Sequence, residues 1–152
     1  MEDICRLIDR YEIPHRYIHM EVTESAYTEN PEQVIRKVTG LRKAGFQIEM
    51  DDFGTGYSNY GYMRDRTFDI VKVDRSFVTD IDKLKDNYLM VSFIIKMAHE
   101  MGLHVCIEGV ETKEELSCVK RLGADYIQGY YYGKPVCLQD FEEQHLKRFV
   151  LG

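Results

Sequence analysis

Leu103-His-Val-Cys-Ile-Glu-Gly-Val-Glu-Thr-Lys-Glu-Glu115 is the passage on which the fold turns. Leu103 to Ile107 is a short β-rich run and Glu108 stands at its end. Thr112-x-x-Glu115 then reads as a capping box opening a helix over 112–122. A strand that ends on a carboxylate and passes through a short loop into a helix is one β-α unit, and the unit recurs on both sides.

Toward the N-terminus, Phe68–Val73 reads as a strand followed by a long helix near 86–101. Before it, Phe46–Met50 is a strand followed by Asp51-Asp52, a glycine-rich loop through 54–61 and a short helical piece. Tyr17–Val22, after Pro14, is a further strand. Asn30-Pro31 offers an N-cap with proline at the first helical position, and that helix stops at Gly45. Residues 2–11 read as helix. Toward the C-terminus, Tyr126–Gln128 is the fifth strand and 138–149 a closing helix. Met90, Met97 and Met101 lie at helical spacing and are expected in the core.

Strands alternating with helices through short loops predict parallel β-α units with right-handed crossovers, so the class is α/β. Both an open doubly wound sheet and part of a (β/α)8 barrel fit that alternation. The polar residues favour the barrel. Glu21 falls near the end of the first strand, Asp51 and Asp52 at the end of the second, Lys72 near the end of the third, Glu108 at the end of the fourth and Gln128 at the end of the fifth. In a parallel barrel those ends converge on one face, where barrel active sites are built. The expectation is a partial (β/α)8 TIM-type barrel of about five parallel strands with flanking helices. For any one carboxylate the competing reading is a loop start or helix cap, and for Lys72 an ion pair with the neighbouring Asp74.

Composition narrows the chemistry. The 152 residues fit one domain, and 44% hydrophobic with 30% charged residues is ordinary for a globular chain. No apolar run approaches the ~20 residues of a membrane span, and Met1-Glu-Asp-Ile-Cys5 lacks the regions of a signal peptide, so the expected compartment is the cytoplasm. Cys5, Cys106, Cys118 and Cys137 form no C-x-x-C pair and read as reduced thiols. A net charge of -6 argues against DNA or general nucleic-acid binding. An anionic substrate remains possible where divalent cations reverse the local sign.

Converging Glu21, Asp51, Asp52 and Glu108 would repel one another, and such a cluster resolves by raised pKa values or bound cations. Oxygen donors alone favour magnesium, calcium or manganese over zinc. Two adjacent aspartates suit a pair of metals in phosphodiester hydrolysis, with a lysine beside them to hold a phosphate or the attacking water. Other signals are weaker. His104 follows His99 by five positions, not the four of H-E-x-x-H, and Gly54-x-Gly56 lacks the third glycine of a dinucleotide fingerprint. Tyr130, Tyr131 and Tyr132 read as loop packing before a guanine stack.

Five motifs in order and spacing resemble EAL domains. They are Glu21-Val-Thr-Glu24, Asp51-Asp-Phe-Gly-Thr-Gly-Tyr-Ser58, Val71-Lys-Val-Asp-Arg-Ser-Phe-Val78, Glu108-Gly-Val-Glu-Thr112 and Gln128-Gly-Tyr-Tyr-Tyr-Gly-Lys-Pro135. The resemblance implies a modified (β/α)8 barrel that opens cyclic di-GMP to pGpG with magnesium or manganese. It implies Glu21, Asp51, Asp52 and Glu108 as metal ligands, with Glu108 and Lys72 catalytic and Lys72 acting on the attacking water. Glu24 would anchor a mobile loop of Phe53, Gly54, Thr55, Gly56, Tyr57 and Ser58, and Glu111 and Gln128 would support the site. The chain departs from the family in holding no Glu-Ala-Leu tripeptide. Residues 1–152 are therefore expected to be a truncated EAL domain, the C-terminal part of a barrel, inactive or weakly active alone; the alternative is a non-catalytic module binding nucleotide or a protein partner. A barrel short of strands leaves two open sheet edges and an apolar inner face, so a homodimer or edge-paired oligomer is expected.

Overall fold

The computed structural model describes residues 2–54 and 67–146. Its sheet has five strands, β1 (His19–Thr23), β2 (Gln47–Phe53), β3 (Ile70–Val73), β4 (His104–Ile107) and β5 (Tyr126–Ile127), in the order β1-β2-β3-β4-β5. Every neighbouring pair is parallel. A doubly wound sheet reverses its strand order at a switch point, and this one runs straight through. The arrangement is the barrel type.

The helices are α1 (Glu2–Arg10), α2 (Glu24–Glu29), α3 (Pro31–Lys43), α4 (Lys85–Glu100), α5 (Lys113–Leu122) and α6 (Leu138–Phe141). Asn30 caps α3 by accepting from Gln33 N, and the α5 capping box is complete. Along α4, Val91, Ile94, Ile95 and Ala98 form the buried stripe. They meet Val38 of α3, Leu116 and Val119 of α5, and Ile48, Met50, Val71, Val73, Val105 and Ile107 of the sheet in one apolar cluster. Each such side chain contributes roughly 1.5–3 kcal/mol by leaving water. Asp69 and Asp125 lock the strand entrances alike: their carboxylates accept from Ile48 N and Val105 N of the adjacent strand, at 2.9 and 2.8 Å.

Several expectations need correction. β2 does not stop at Met50 but runs to Phe53, because a β-bulge sets Asp51 and Asp52 between the pairs Met50–Val71 and Phe53–Val73. The third strand starts at Ile70, Asp69 being spent on Ile48 N. Glu24–Glu29 is an unexpected helix, capped by Thr23, and the closing helix turns π-helical over Glu142–Leu146. Met90 is 48% exposed, whereas Met97 and Met101 pack against the core. The inner face of the sheet is not apolar. Strand alternation puts His19, Glu21, Glu49, Asp51 and Lys72 opposite the helix-facing residues, so Ile70 and Cys106 are its buried apolar members, both outside the main cluster. Among the described residues no helix is long and apolar enough to cross a membrane.

Candidate functional site

The inner face carries an ammonium ringed by carboxylates. Lys72 projects from β3, is only 3% exposed, and its Nζ lies 2.7 Å from Glu21 Oε1, 2.9 Å from Glu108 Oε1 and 3.1 Å from Asp51 Oδ1. These partners come from β1, from the residue after β4, and from the β2 bulge. The bulge matters locally because Asp52, at φ 58°, sits in left-handed backbone, so two consecutive aspartates occupy the space opposite one β3 residue. The Lys72–Asp74 pairing is not formed; Asp74 caps the 3₁₀ turn Arg75–Phe77 through Ser76 N at 2.9 Å.

Burial works against the Lys72 charge, but hydrogen bonding to Glu21 and Glu108 and the close Asp51 carboxylate outweigh it and hold the ammonium well above the ordinary lysine range. Burial pushes Glu108 upward despite Lys72, with Asp51 and Glu21 adding repulsion. The Cys106 thiol, paired across the sheet with Lys72, is pushed up to about 12 by burial and by Glu49 and Glu108, and stays protonated. The Lys72–Asp51 approach is an ion pair without hydrogen-bond angles, and Asp51 Oδ1 is a buried oxygen left without a hydrogen-bond partner.

That orphaned oxygen, in an all-carboxylate donor set, fits a hard divalent ion by its chemistry. In the conformation described the carboxylates close on the ammonium, and among the described residues no three His, Cys, Asp or Glu side chains stand in a metal-holding group.

The loop after the bulge is anchored at its start. Gly54 N donates to Glu24 Oε2 at 3.2 Å, and Glu24 is 4% exposed. Gly54 adopts φ 93°, and a Cβ there would meet the Phe77 ring at 3.0 Å. Phe53 is buried in the core; Thr55, Gly56, Tyr57 and Ser58 lie outside the described residues. Glu111 pairs with Arg75 at 3.0 Å. Gln128 is exposed, its backbone bridging Ile107 O and Val110 N. Tyr130 and Tyr132 line an open cavity of about 710 Å³ with Gln128, Lys134 and Phe141, and Tyr131 meets Tyr132 edge-on.

Sequence reasoning missed the His19–Glu49 pair, in which His19 Nδ1 contacts Glu49 Oε1 beneath the cluster. Period-two alternation carried the signal: His19 precedes Glu21 by two positions, and Glu49 precedes Asp51 by two.

The EAL domain family model matches residues 1–135. The chain is 34% identical over 143 residues to the cyclic di-GMP phosphodiesterase NbdA of Pseudomonas aeruginosa, a match covering 94% of this chain and 18% of NbdA. It superposes on the EAL domain of Mycobacterium smegmatis DcpA with a TM-score of 0.87 at 30% identity, covering 96% of this chain and 66% of that one. With Klebsiella pneumoniae BlrP1, solved as a manganese/cy-diGMP complex, the TM-score is 0.81 at 28% identity, covering 87% of this chain and 34% of that one. The chain thus spans about a fifth of the length of NbdA.

Proposed function

The chain belongs to the EAL domain family, and from that premise we propose that its inner-face cluster serves metal-dependent hydrolysis of cyclic di-GMP to pGpG. The observation that carries this reading is the meeting of Glu21 from β1, Asp51 from the β2 bulge and Glu108 from just after β4 around one buried lysine. Packing of the helix side has no use for such a cluster; it is costly to assemble and needs a charged ligand to justify it.

Glu21, Asp51, Asp52 and Glu108 would hold magnesium or manganese, a reading supported by the manganese complex of BlrP1. A bound divalent ion supplies Lewis acidity at the phosphoryl oxygen and a more acidic water. Lys72, kept protonated by its partners, is a donor: it holds a phosphate oxygen or orients the attacking water. Glu108 accepts the proton of that water. Glu24 fixes the start of the loop beside the site, and Glu111 and Gln128 support the neighbouring turns.

Titration calorimetry with cyclic di-GMP, with and without magnesium, tests this. Binding that needs the ion supports the reading; no binding in either condition overturns it. Turnover by the 152 residues alone is expected to be slow or absent, and a segment bearing the Glu-Ala-Leu motif is expected to restore it. β1 and β5 are the edges of the described sheet, which supports pairing of two copies edge to edge, and sedimentation at micromolar concentration decides that point.

A further inference from the structure

Glu21, Asp51 and Glu108 bring three negative charges to one place, and Lys72 returns one positive charge to it. The ammonium is not a surface group that happens to lie nearby. Its side chain is 4% exposed, its stem belongs to a strand buried at every position, and its three acceptors sit at 2.7, 2.9 and 3.1 Å. A lysine head carries three donor protons and three carboxylates surround this one, with Asp51 held by charge alone. Without a bound ion, this lysine is what makes the carboxylate arrangement tolerable.

A divalent ion coordinated by the same carboxylates needs oxygen atoms at about 2.0–2.6 Å, on lone pairs that now face the ammonium. A single and a double positive charge cannot share those contacts without repulsion. Because the lysine stem is buried in β3, the head can swing from some of its partners but cannot leave the face. Asp51 Oδ1 is the contact already closest to release, since it lies within ion-pair distance of Nζ yet has no hydrogen bond.

We propose that Lys72 is an internal competitor for the divalent ion: it holds Glu21, Asp51 and Glu108 together when no ion is bound and yields part of those contacts when one binds. Lys72 is thereby a counter-ion of the empty cluster as well as a donor to substrate. The inference rests on the metal-dependent reading above but makes a claim that reading does not contain. Metal affinity is set below what the carboxylates alone would give, and removing the lysine raises it.

The test compares the chain with Lys72→Met and Lys72→Arg, freed of metal by chelation and held near pH 8. Magnesium and manganese binding are measured by calorimetry and by the rise in melting temperature. Lys72→Met is expected to melt lower than the parent without ion and to bind the ion at least about fivefold tighter, the lower end of ordinary coupling between two binding events. Its melting temperature should rise more on ion addition, while Lys72→Arg stays near the parent. Equal or weaker ion binding by Lys72→Met, while the parent binds, overturns the competition and leaves the metal reading standing. Absence of ion binding in every chain overturns both. Should Lys72→Met not fold without ion, the Lys72 ε-carbon resonance of the parent chain is followed during magnesium titration. A shift that saturates with the ion supports the proposal, and an unmoved resonance in a chain stabilised by magnesium refutes it.

Discussion

The two faces of the sheet differ although the same strands make both. In β3 and β4, Val71, Val73, Val105 and Ile107 point to the helices and are at most 1% exposed, while the alternate residues Lys72 and Cys106 point the other way. The helix side is apolar and redundant: many contacts share the load, and none is special. The inner side is polar and specific, with one lysine serving three carboxylates. Strand alternation thus lets a single stretch of chain supply stability and chemistry without compromise at any position.

Substitutions confined to one face break or sharpen this contrast. Glu21→Gln in a complete barrel is expected to lower hydrolysis by at least about 10²-fold, the worth of several kcal/mol of charge stabilisation at the reacting phosphate. Because the Glu21 side chain is 51% exposed, the melting temperature should hardly move. Initial rates of pGpG release beside a melting curve check both halves, and near-parent activity would remove Glu21 from the site.

Next in size is a matched pair one residue apart. Ile107→Ala leaves a hole in the shared core and is expected to cost about 2–5 kcal/mol of unfolding free energy. Cys106→Ala, on the inner face and outside that core, should cost clearly less, and urea melts of the two variants measure the difference. Equal losses would mean that the inner face bears as much of the stability as the helix side.

The fold was legible where local chemistry is self-contained. The Asn30-Pro31 start, the Gly45 stop and the Thr112-x-x-Glu115 box each satisfy orphan backbone groups within a few residues, and each marks a real helix start or end. Asp51 and Asp52 were placed at a strand end because a bulge has no local signature: it exists only through the register with β3. The role of Lys72 was half legible. Its position near a strand end is plain, but sequence distance offers Asp74, two residues away, as a competing partner, and the long-range pairing with Glu21, Asp51 and Glu108 wins. The His19–Glu49 pair follows the same alternation but lies two residues before Glu21 and Asp51, away from the strand ends that mark a barrel site.

Smaller effects probe whether the helix layer is as independent of the inner face as the packing implies. Thr112 accepts from Glu115 N at 3.1 Å, and Glu115 Oε2 accepts from Thr112 N at 3.0 Å. Thr112→Ala is expected to cost about 1 kcal/mol by chemical denaturation, with ion binding at the inner face unchanged. A change in ion affinity would show that α5 and the site are coupled.

The smallest expected effect is a slope with pH. Glu115 is buried at 7% exposure, which alone would raise its pKa, but its carboxylate accepts backbone N–H groups from Glu111, Thr112 and Asp80, and these hold it below the ordinary value of 4.5. A carboxyl whose folded pKa lies below its unfolded one binds fewer protons in the folded state over the interval between them, so stability rises with pH there. Its contribution is complete above about pH 4.5 and is lost as pH falls through the depressed folded value. Glu115→Gln keeps one acceptor but cannot titrate. The stability gap between parent and variant should therefore be widest near neutrality and narrow steadily as pH falls below the ordinary carboxylate value in urea melts. A gap that stays constant through that fall would place the worth of Glu115 in its shape and hydrogen bonds and not in its charge, and would leave acid sensitivity to the carboxylates of the inner face.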